Sequence, residues 1–315
     1  MLKRLLWNSL PSPIPAGSCV VPNRDGGSRA PVRMALVTGQ SSQYHNWQVS
    51  SAHLLSLLEQ VPFFETRLVV GPPSGGDMAG FRLDFAHTDV VVIDYEGDAW
   101  PREAQAALTA FVRSGGGLVS FHATDNAFPK WQEFNEMIGV GGWGNRDESW
   151  GPKVRWRDGK AVEDTSPGTA NHPPSHEFPV VVRDQAHPIM RGLPRIWMHA
   201  GDEIYSQLRG PARNLQVLAT ALADDVRFPG ASGEHEPVLM TIRYGGGRVF
   251  HTTLGHVSPL DTMAPPSLRC AGFVLTFLRG VEWAATGSVT LPLGEHFPDE
   301  HRVVLALGTG HPASP

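Results

Sequence analysis

Histidine and carboxylate side chains recur in this sequence where an apolar run gives way to a polar loop. Imidazole titrates near neutral pH and a partly buried carboxylic acid can donate a proton, so these residues favour acid–base chemistry. The residues that we expect to be catalytic are His122, His256 and Glu203. The residues that we expect to contact a substrate are His45, Trp47, Asp125, His199, Asp202, Tyr205 and Glu236.

Structural roles remain open for several of these residues. His122 could be a core histidine bonded to a backbone carbonyl, and His45 and Trp47 could form a helix entry with a cap and an aromatic anchor. Glu234 and Glu236 are two positions apart and would share one solvated strand edge. The position of His122 at a strand end, after three glycines, favours a functional role instead.

Asp202 and Glu203 are adjacent, so in a strand their side chains point to opposite faces. Only one of them can then enter a given pocket. Glu203 is the better candidate for the proton donor, because apolar surroundings raise the pKa of a carboxyl group.

A thiol or hydroxyl nucleophile is not expected. A glutaminase-type site needs a cysteine or serine at a strand-to-helix elbow, with a histidine as its base. His122 stands at that point of the sequence, and Cys19 and Cys270 lie far from it. Ser120 falls inside the expected strand, and Thr124 has no evident base. The sequence therefore excludes thiol-based amide hydrolysis and gives no support to acyl-enzyme chemistry.

Fourteen histidines raise the question of a metal site. The sequence has no H-x-x-x-H pair on an expected helix and no C-x-x-C spacing. We therefore expect no metal and no other cofactor. A divalent cation held by His122, His199, His256 and Glu203 is the lesser alternative.

A parallel sheet is the element that must position these residues. Apolar runs predict strands over residues 32–38, 64–70, 88–95 and 118–121, with amphipathic helices after the first and the third. Such a pattern indicates an α/β fold with a doubly wound, mostly parallel sheet. Ligands bind at the carboxyl ends of these strands, which is where the polar residues lie.

A Gly- and Pro-rich section, residues 139–194, predicts an inserted β elaboration packed on the sheet. The strands expected after it cover residues 196–205, 215–221, 238–244 and 249–254. A largely buried last helix is expected over residues 266–279. We expect one α/β domain over residues 31–295, between a disordered N-terminal extension (1–30) and a C-terminal tail (296–315).

Charge and composition narrow the range of partners. The net charge is −5 and the basic residues are scattered, which argues against nucleic acid as a partner. No apolar run reaches the roughly 18 residues that a membrane span needs. Two cysteines in the whole chain are typical of a reducing compartment, so we expect a cytoplasmic protein. A vestigial export signal over residues 1–10 is the lesser alternative.

Several motifs resemble those of the ThuA-like (trehalose utilisation) family over residues 32–292. The motifs cover residues 37–39, 45–47, 115–123, 199–205, 234–238, 244–250, 254–256 and 279–285. Each motif is weak by itself, and together they are specific. The resemblance implies a fold similar to flavodoxin and to class I glutamine amidotransferases, in agreement with the sheet expected above.

In the amidotransferase relatives the elbow residue is the nucleophile, and the resemblance places it at or beside His122. The relatives' catalytic histidine corresponds to His256. The resemblance implies a carbohydrate-catabolism protein that acts on a disaccharide or keto-sugar, with a small carbohydrate as its partner and without amidotransferase activity. A non-catalytic sugar-binding or regulatory module and a metal-dependent hydrolase are the alternatives. The family also suggests a homodimer.

Overall fold

One sheet of nine strands dominates the part of the chain that the structure, a computed structural model, describes: residues 30–306. The strands are β1 (Val32–Thr38), β2 (Phe64–Val70), β3 (Val90–Ile93), β4 (Gly117–Phe121), β5 (Lys153–Arg157), β6 (Lys160–Asp164), β7 (His176–Val182), β8 (Ile196–Asp202), β9 (Leu215–Leu222), β10 (His235–Tyr244) and β11 (Gly247–Thr252). The helices are α1 (Trp47–Glu59), α2 (Arg102–Arg113), α3 (Gln132–Ile138), α4 (Pro266–Arg269) and α5 (Ala271–Thr286). The order across the large sheet is β2-β1-β3-β4-β11-β10-β9-β7-β8.

The half of the sheet from β2 to β11 is parallel. Its side chains alternate between two apolar cores on opposite faces. Met34 and Leu36 of β1 pack with α1 and α5, whereas Ala35 and Val37 pack with α2 and α3. Both faces are covered by helices, which explains why these strands have unbroken apolar sequences.

The other half of the sheet is antiparallel. β10 pairs with β11 and β9, and β7 pairs with β9 and β8, all in antiparallel register. Because β10 and β7 alone run against the rest, seven of the nine strands point the same way. β5 and β6 form a separate hairpin, which a buried ion pair between Arg155 and Glu236 joins to β10.

The predicted fold class is confirmed: the protein is α/β with a mostly parallel sheet, covered by helices on both faces. The strands expected over residues 32–38 and 64–70 have the bounds of β1 and β2. The section over residues 139–194 contributes the β5–β6 hairpin and β7, which joins the large sheet. The expected N-terminal extension lies outside the described residues except for Ala30.

The last helix differs from its prediction. It is broken at Cys270, whose ψ of 124° is extended, because the chain there pairs with Leu305 of the returning C-terminal segment. After the break, α5 runs beyond the expected end at residue 279. Gly280 lies within α5, where the absence of a side chain lets the helix approach Phe250 of β11. The segment that we expected to be a tail also packs on the core as far as residue 306, through Phe297.

None of the helices within residues 30–306 combines the length and the apolar character that crossing a bilayer requires.

Candidate functional site

Loops at the carboxyl ends of the strands bring three histidines together at one edge of the sheet. His45 follows β1, His122 follows β4 and His256 follows β11. The other members of the group are Glu96 after β3, and Glu203 and Tyr205 after β8. We call this group of six side chains, together with the cavity that His45, Glu96 and His122 line, the imidazole crevice. Its floor is buried, and Glu203 and His256 at its mouth are 14% and 18% exposed.

His122 occupies the turn from β4 into a 3-10 helix, His122–Asn126. Its φ is +40°, a conformation that costs a residue with a side chain on the order of 1 kcal/mol. Nδ1 of His122 lies 2.6 Å from the carbonyl oxygen of Thr253, so this nitrogen carries a proton and donates it. The neutral ring therefore presents the lone pair of Nε2 to the crevice.

His45 is held from both sides of its ring. Nδ1 lies 2.9 Å from Oε2 of Glu96, and Nε2 lies 3.1 Å from the hydroxyl of Tyr205. The next residue, Asn46, caps α1, because its side-chain oxygen accepts the N–H of Val49. The capping role that we considered for His45 thus belongs to Asn46, and the imidazole is left for the crevice.

His256 connects the other two expected catalytic residues. Its Nδ1 lies 3.3 Å from Nε2 of His122 and 3.2 Å from Oε2 of Glu203. The sequence expectation that imidazoles and a carboxylate from distant segments meet in one place therefore agrees with the geometry.

Tyr205 forms part of the floor of the crevice. Its ring packs on that of His122 with centroids 4.6 Å apart, and its hydroxyl lies 2.9 Å from Nε2 of the same histidine. The indole of Trp143 covers the other side of Tyr205, at 4.6 Å between ring centroids. The phenol is thereby fixed between the imidazoles.

Burial shifts the pKa of four of these groups in the direction that favours the neutral form. Burial, together with the neighbouring rings of His45 and His256, lowers the pKa of His122 well below its usual value. Burial also lowers the pKa of His256 to about 4. The same physical cause raises the pKa of Glu203 and that of Tyr205. His122 and His256 therefore act as lone-pair donors at neutral pH, and burial shifts the equilibrium of the Glu203 carboxyl group toward its protonated form.

A metal ion could be held by the same histidines. One ring nitrogen from each of His45, His122 and His256 lies within 4.8 Å of the others. His199, which the sequence grouped with His122 and His256, is not part of this set.

His199 and Asp202 lie in the core instead of the crevice. Both side chains are fully buried, and Nε2 of His199 lies 2.8 Å from Oδ2 of Asp202. The Asp202 carboxylate also accepts the backbone N–H groups of Glu203, Gly255 and His256, at 2.7 to 3.0 Å. All of its capacity is used by the protein, so Asp202 holds the two loops that carry Glu203 and His256.

Asp125 and Glu236 also lie outside the crevice. Asp125 is fully buried with its carboxylate 3.6 Å from Nε2 of His251, and burial raises the pKa of this carboxyl group. Glu236 is buried beneath the hairpin, where it pairs with Arg155. Trp47, by contrast, lines the same cavity as His45 and His122.

Glu96 and His172 contact the other site residues but were not among those expected from the sequence. Glu96 directly follows the strand expected over residues 88–95, so the strand-end rule that selected His122 would have found it. His172 lies in a Pro-rich loop and reaches Glu203, with Nδ1 3.6 Å from Oε1. No local pattern marks such a loop residue, because its place depends on how the elaboration packs.

Comparisons with known proteins agree with this architecture. A family model described as trehalose utilisation, ThuA, matches residues 74–284. A protein from Parabacteroides merdae described as ThuA-like is 44% identical, with a TM-score of 0.83 over 87% of this chain and 97% of that one. A ThuA-like protein from Bacteroides uniformis shares the fold, with a TM-score of 0.53 at 14% identity over 85% of this chain and 98% of that one. No curated protein matches the chain.

The family match covers more than half of the sequence and includes His122, Glu203 and His256. The structural match at 44% identity extends it over nearly the whole described region. The resemblance found in the motifs is thus confirmed, and the chain belongs to the ThuA (trehalose utilisation) family.

Proposed function

We propose that this chain is an enzyme of carbohydrate breakdown, which transfers protons on a keto-sugar or disaccharide bound in the imidazole crevice. The observation that carries the proposal is the contact chain from His122 through His256 to Glu203, with distances of 3.3 and 3.2 Å. Imidazole and carboxyl groups in contact supply a base and an acid within reach of one substrate carbon. The description of the family as trehalose utilisation supports a sugar as the substrate.

The surroundings of the crevice suit a polar ring. Trp47 lines the cavity beside His45, and Trp143 packs at its floor, so aromatic surface is available next to polar groups. Sugar rings combine apolar faces with hydroxyl groups, and such mixed pockets are typical of sites for small polar ligands.

The groups at the strand-to-helix elbow argue against amidotransferase chemistry. His122 stands there with a positive φ, as nucleophiles do in elbow-type hydrolases. Its imidazole is hydrogen-bonded to a backbone carbonyl and does not supply the thiol nucleophile that amidotransferases use. Cys270 is buried between α4 and α5. Proton transfer is therefore favoured over acyl transfer.

Proton transfer next to a ketone can break a glycosidic bond without a nucleophile. A base removes the proton from the carbon between the carbonyl and the anomeric carbon, and the C–H electron pair forms an enolate. The ketone re-forms as a C=C bond forms to the anomeric carbon, the bond to the leaving oxygen breaks with its electron pair, and that oxygen takes a proton. Water then adds to the anomeric carbon and the neighbouring carbon regains a proton, so one water is consumed and no oxidant is needed.

The test is deuterium exchange and turnover with the purified full-length chain. A 3-keto-disaccharide incubated in D₂O is expected to gain deuterium next to its carbonyl and to release a monosaccharide, as followed by NMR and mass spectrometry. Glu203→Gln is expected to lower both by at least about 100-fold. Glu177→Gln, an exposed position on β7, is the matched control and retains both.

The result that would overturn the proposal is absence of exchange and of product across keto- and unoxidised disaccharides. Saccharide binding by calorimetry without any exchange would then assign the chain to the alternative of a non-catalytic sugar-binding module.

A further inference from the structure

Ring nitrogens outnumber the hydrogen-bond donors beside them in the imidazole crevice. Nδ1 of His45 faces the Glu96 carboxylate, and Nδ1 of His122 faces the carbonyl of Thr253. Both partners are acceptors, so both Nδ1 atoms carry the ring proton. In a neutral ring the opposite nitrogen then has a lone pair and no hydrogen. The opposite nitrogen of each ring, Nε2, faces the crevice and the hydroxyl of Tyr205.

The hydroxyl of Tyr205 lies between these two nitrogens, 3.1 Å from one and 2.9 Å from the other. A phenol has a single proton, so it can satisfy only one of them. On the other side, one proton is shared between Nδ1 of His256 and Oε2 of Glu203, 3.2 Å apart. With that proton on Glu203, one of the three ring nitrogens is left without a donor among these side chains. With it on His256, the same N–H faces both Nε2 of His122 and Oε2 of Glu203.

We propose that a divalent transition-metal ion, one per chain, binds in the imidazole crevice through Nε2 of His45, Nε2 of His122 and Nδ1 of His256. A cation turns the surplus of lone pairs into ligand bonds. Imidazole ligands favour zinc and its neighbours in the first transition row over magnesium or calcium.

The geometry fits such an ion with small movements. Nitrogens around a tetrahedral zinc ion lie roughly 3.4 Å apart, because the Zn–N distance is about 2.0–2.1 Å. Nε2 of His122 and Nδ1 of His256 are already 3.3 Å apart, and all three nitrogens lie within 4.8 Å of one another. A shift of the partly exposed His45 ring closes the set. Three protein ligands leave the fourth position open, as in catalytic zinc sites.

The outer hydrogen bonds have the form that metal-bound histidines need. A bound imidazole commonly donates its second N–H to a carboxylate or a backbone carbonyl, which fixes the ring and its tautomer. Glu96 supplies the carboxylate for His45, and Thr253 supplies the carbonyl for His122. In both rings this bond is made by Nδ1, the nitrogen opposite the proposed ligand atom Nε2.

The role of the ion in the reaction rests on the proposed function, whereas its binding does not. A cation whose fourth position is open to the substrate would polarise the ketone oxygen and stabilise the enolate. His122 and His256 would then be ligands, and Glu203 would remain as the group that moves the proton.

Metal binding to the chelator-treated full-length chain tests the proposal. Titration with Zn²⁺ and with Co²⁺ is expected to give one site per chain, and Co²⁺ should show visible d–d bands of a low-coordinate imidazole site. His45→Gln and His256→Gln are expected to weaken binding by about 100-fold or more, and Glu96→Gln by about 10- to 100-fold. Thermal melts of each variant establish that it is folded.

His301→Gln is the matched control, because this histidine is exposed and remote from the crevice; its affinity for the single site should equal that of the parent chain. The proposal is overturned by absence of one-to-one binding, or by equal affinity in His45→Gln and His301→Gln. Failure of this proposal can be distinguished from failure of the proposed function. Sugar turnover by metal-free protein would support the function without the metal site, and metal binding without turnover would support the metal site without the function.

Discussion

Asp202 and Glu203 are consecutive carboxylates at the end of β8 with opposite surroundings. The Asp202 side chain is fully buried and accepts one imidazole and three backbone N–H groups. The Glu203 side chain is 14% exposed and contacts ring nitrogens of His256 and His172. One carboxylate is saturated by the protein, while the other retains capacity for a ligand. A polar residue at a strand end is thus a candidate for chemistry only if the protein leaves it unsatisfied.

The two residues also depend on each other. The backbone N–H groups of Glu203 and His256 both donate to Oδ1 of Asp202, at 2.8 and 3.0 Å. Asp202 therefore sets the distance between the loop after β8 and the loop after β11. We assign it a positioning role, in place of the substrate contact that the sequence suggested.

The largest effect is expected from Glu203→Gln. The amide keeps the shape of the side chain but cannot exchange a proton, so turnover of a keto-disaccharide should fall by between about 10²- and 10⁴-fold. The free energy of unfolding should change by less than about 1 kcal/mol, since the group is partly exposed. Steady-state kinetics and urea denaturation measure the two quantities. Equal turnover in Glu203→Gln and Glu177→Gln would contradict the proton-transfer role that distinguishes Glu203 from Asp202.

Asp202→Asn, unlike Glu203→Gln, is expected to lower the free energy of unfolding as well as turnover. Its NH₂ group would face a backbone or imidazole donor, and the buried His199 would lose its charge partner. Such a change typically costs about 3–5 kcal/mol of unfolding free energy. The fall in turnover should follow from misplacement of Glu203 and His256 and should appear in metal affinity as well. Asp158→Asn, at an exposed turn, is the control with unchanged stability.

If Asp202→Asn kept its stability and lost only turnover, Asp202 would have to act on substrate. That outcome would contradict the positioning role of Asp202 and give both carboxylates a role in catalysis.

The sequence was sufficient to predict the sheet and the edge of the sheet at which the crevice lies. Unbroken apolar runs such as residues 90–93 report burial on both faces, and parallel strands place their carboxyl ends together. The rule that selected His122 and His256 follows from chain direction alone. It would also have selected Glu96.

The sequence could not separate His45 from His199. His45 follows β1 and His199 lies within β8, but their roles differ because of what packs against each ring. Cys270, at the break between α4 and α5, lies beside His199 and influences its protonation. That break depends on pairing with Leu305, which is distant in sequence and carries no local signal.

A smaller effect is expected from pH. Burial alone would lower the pKa of His199, but Cys270 and Asp202 outweigh it and raise the pKa to about 10. A folded-state pKa above the unfolded value of about 6.5 gives stability that is present below that pH and is lost as pH rises. Unfolding free energy should therefore fall between about pH 6.5 and pH 10, with a slope of at most about 1.4 kcal/mol per pH unit from this residue.

Urea denaturation across that range measures the slope, and Asp202→Asn should flatten it. His53 provides the contrast within the same protein. Burial lowers the pKa of His53 to about 4, so its contribution is lost as pH falls below about 6.5. An identical alkaline slope in Asp202→Asn would contradict the charge pairing of His199 with Asp202.

The smallest effect is expected on stability from His122→Asn. Asparagine tolerates the left-handed conformation that His122 adopts at a φ of +40°, and its amide can donate to the Thr253 carbonyl. His122→Gln keeps a donor but has no preference for this conformation. The asparagine variant should therefore unfold within about 1 kcal/mol of the parent and remain more stable than the glutamine variant. Both should lose turnover, because neither offers a ring nitrogen to His256. A glutamine variant as stable as the asparagine variant would show that the backbone at His122 is unstrained. Any free-energy cost of placing an imidazole at this position would then come from its burial.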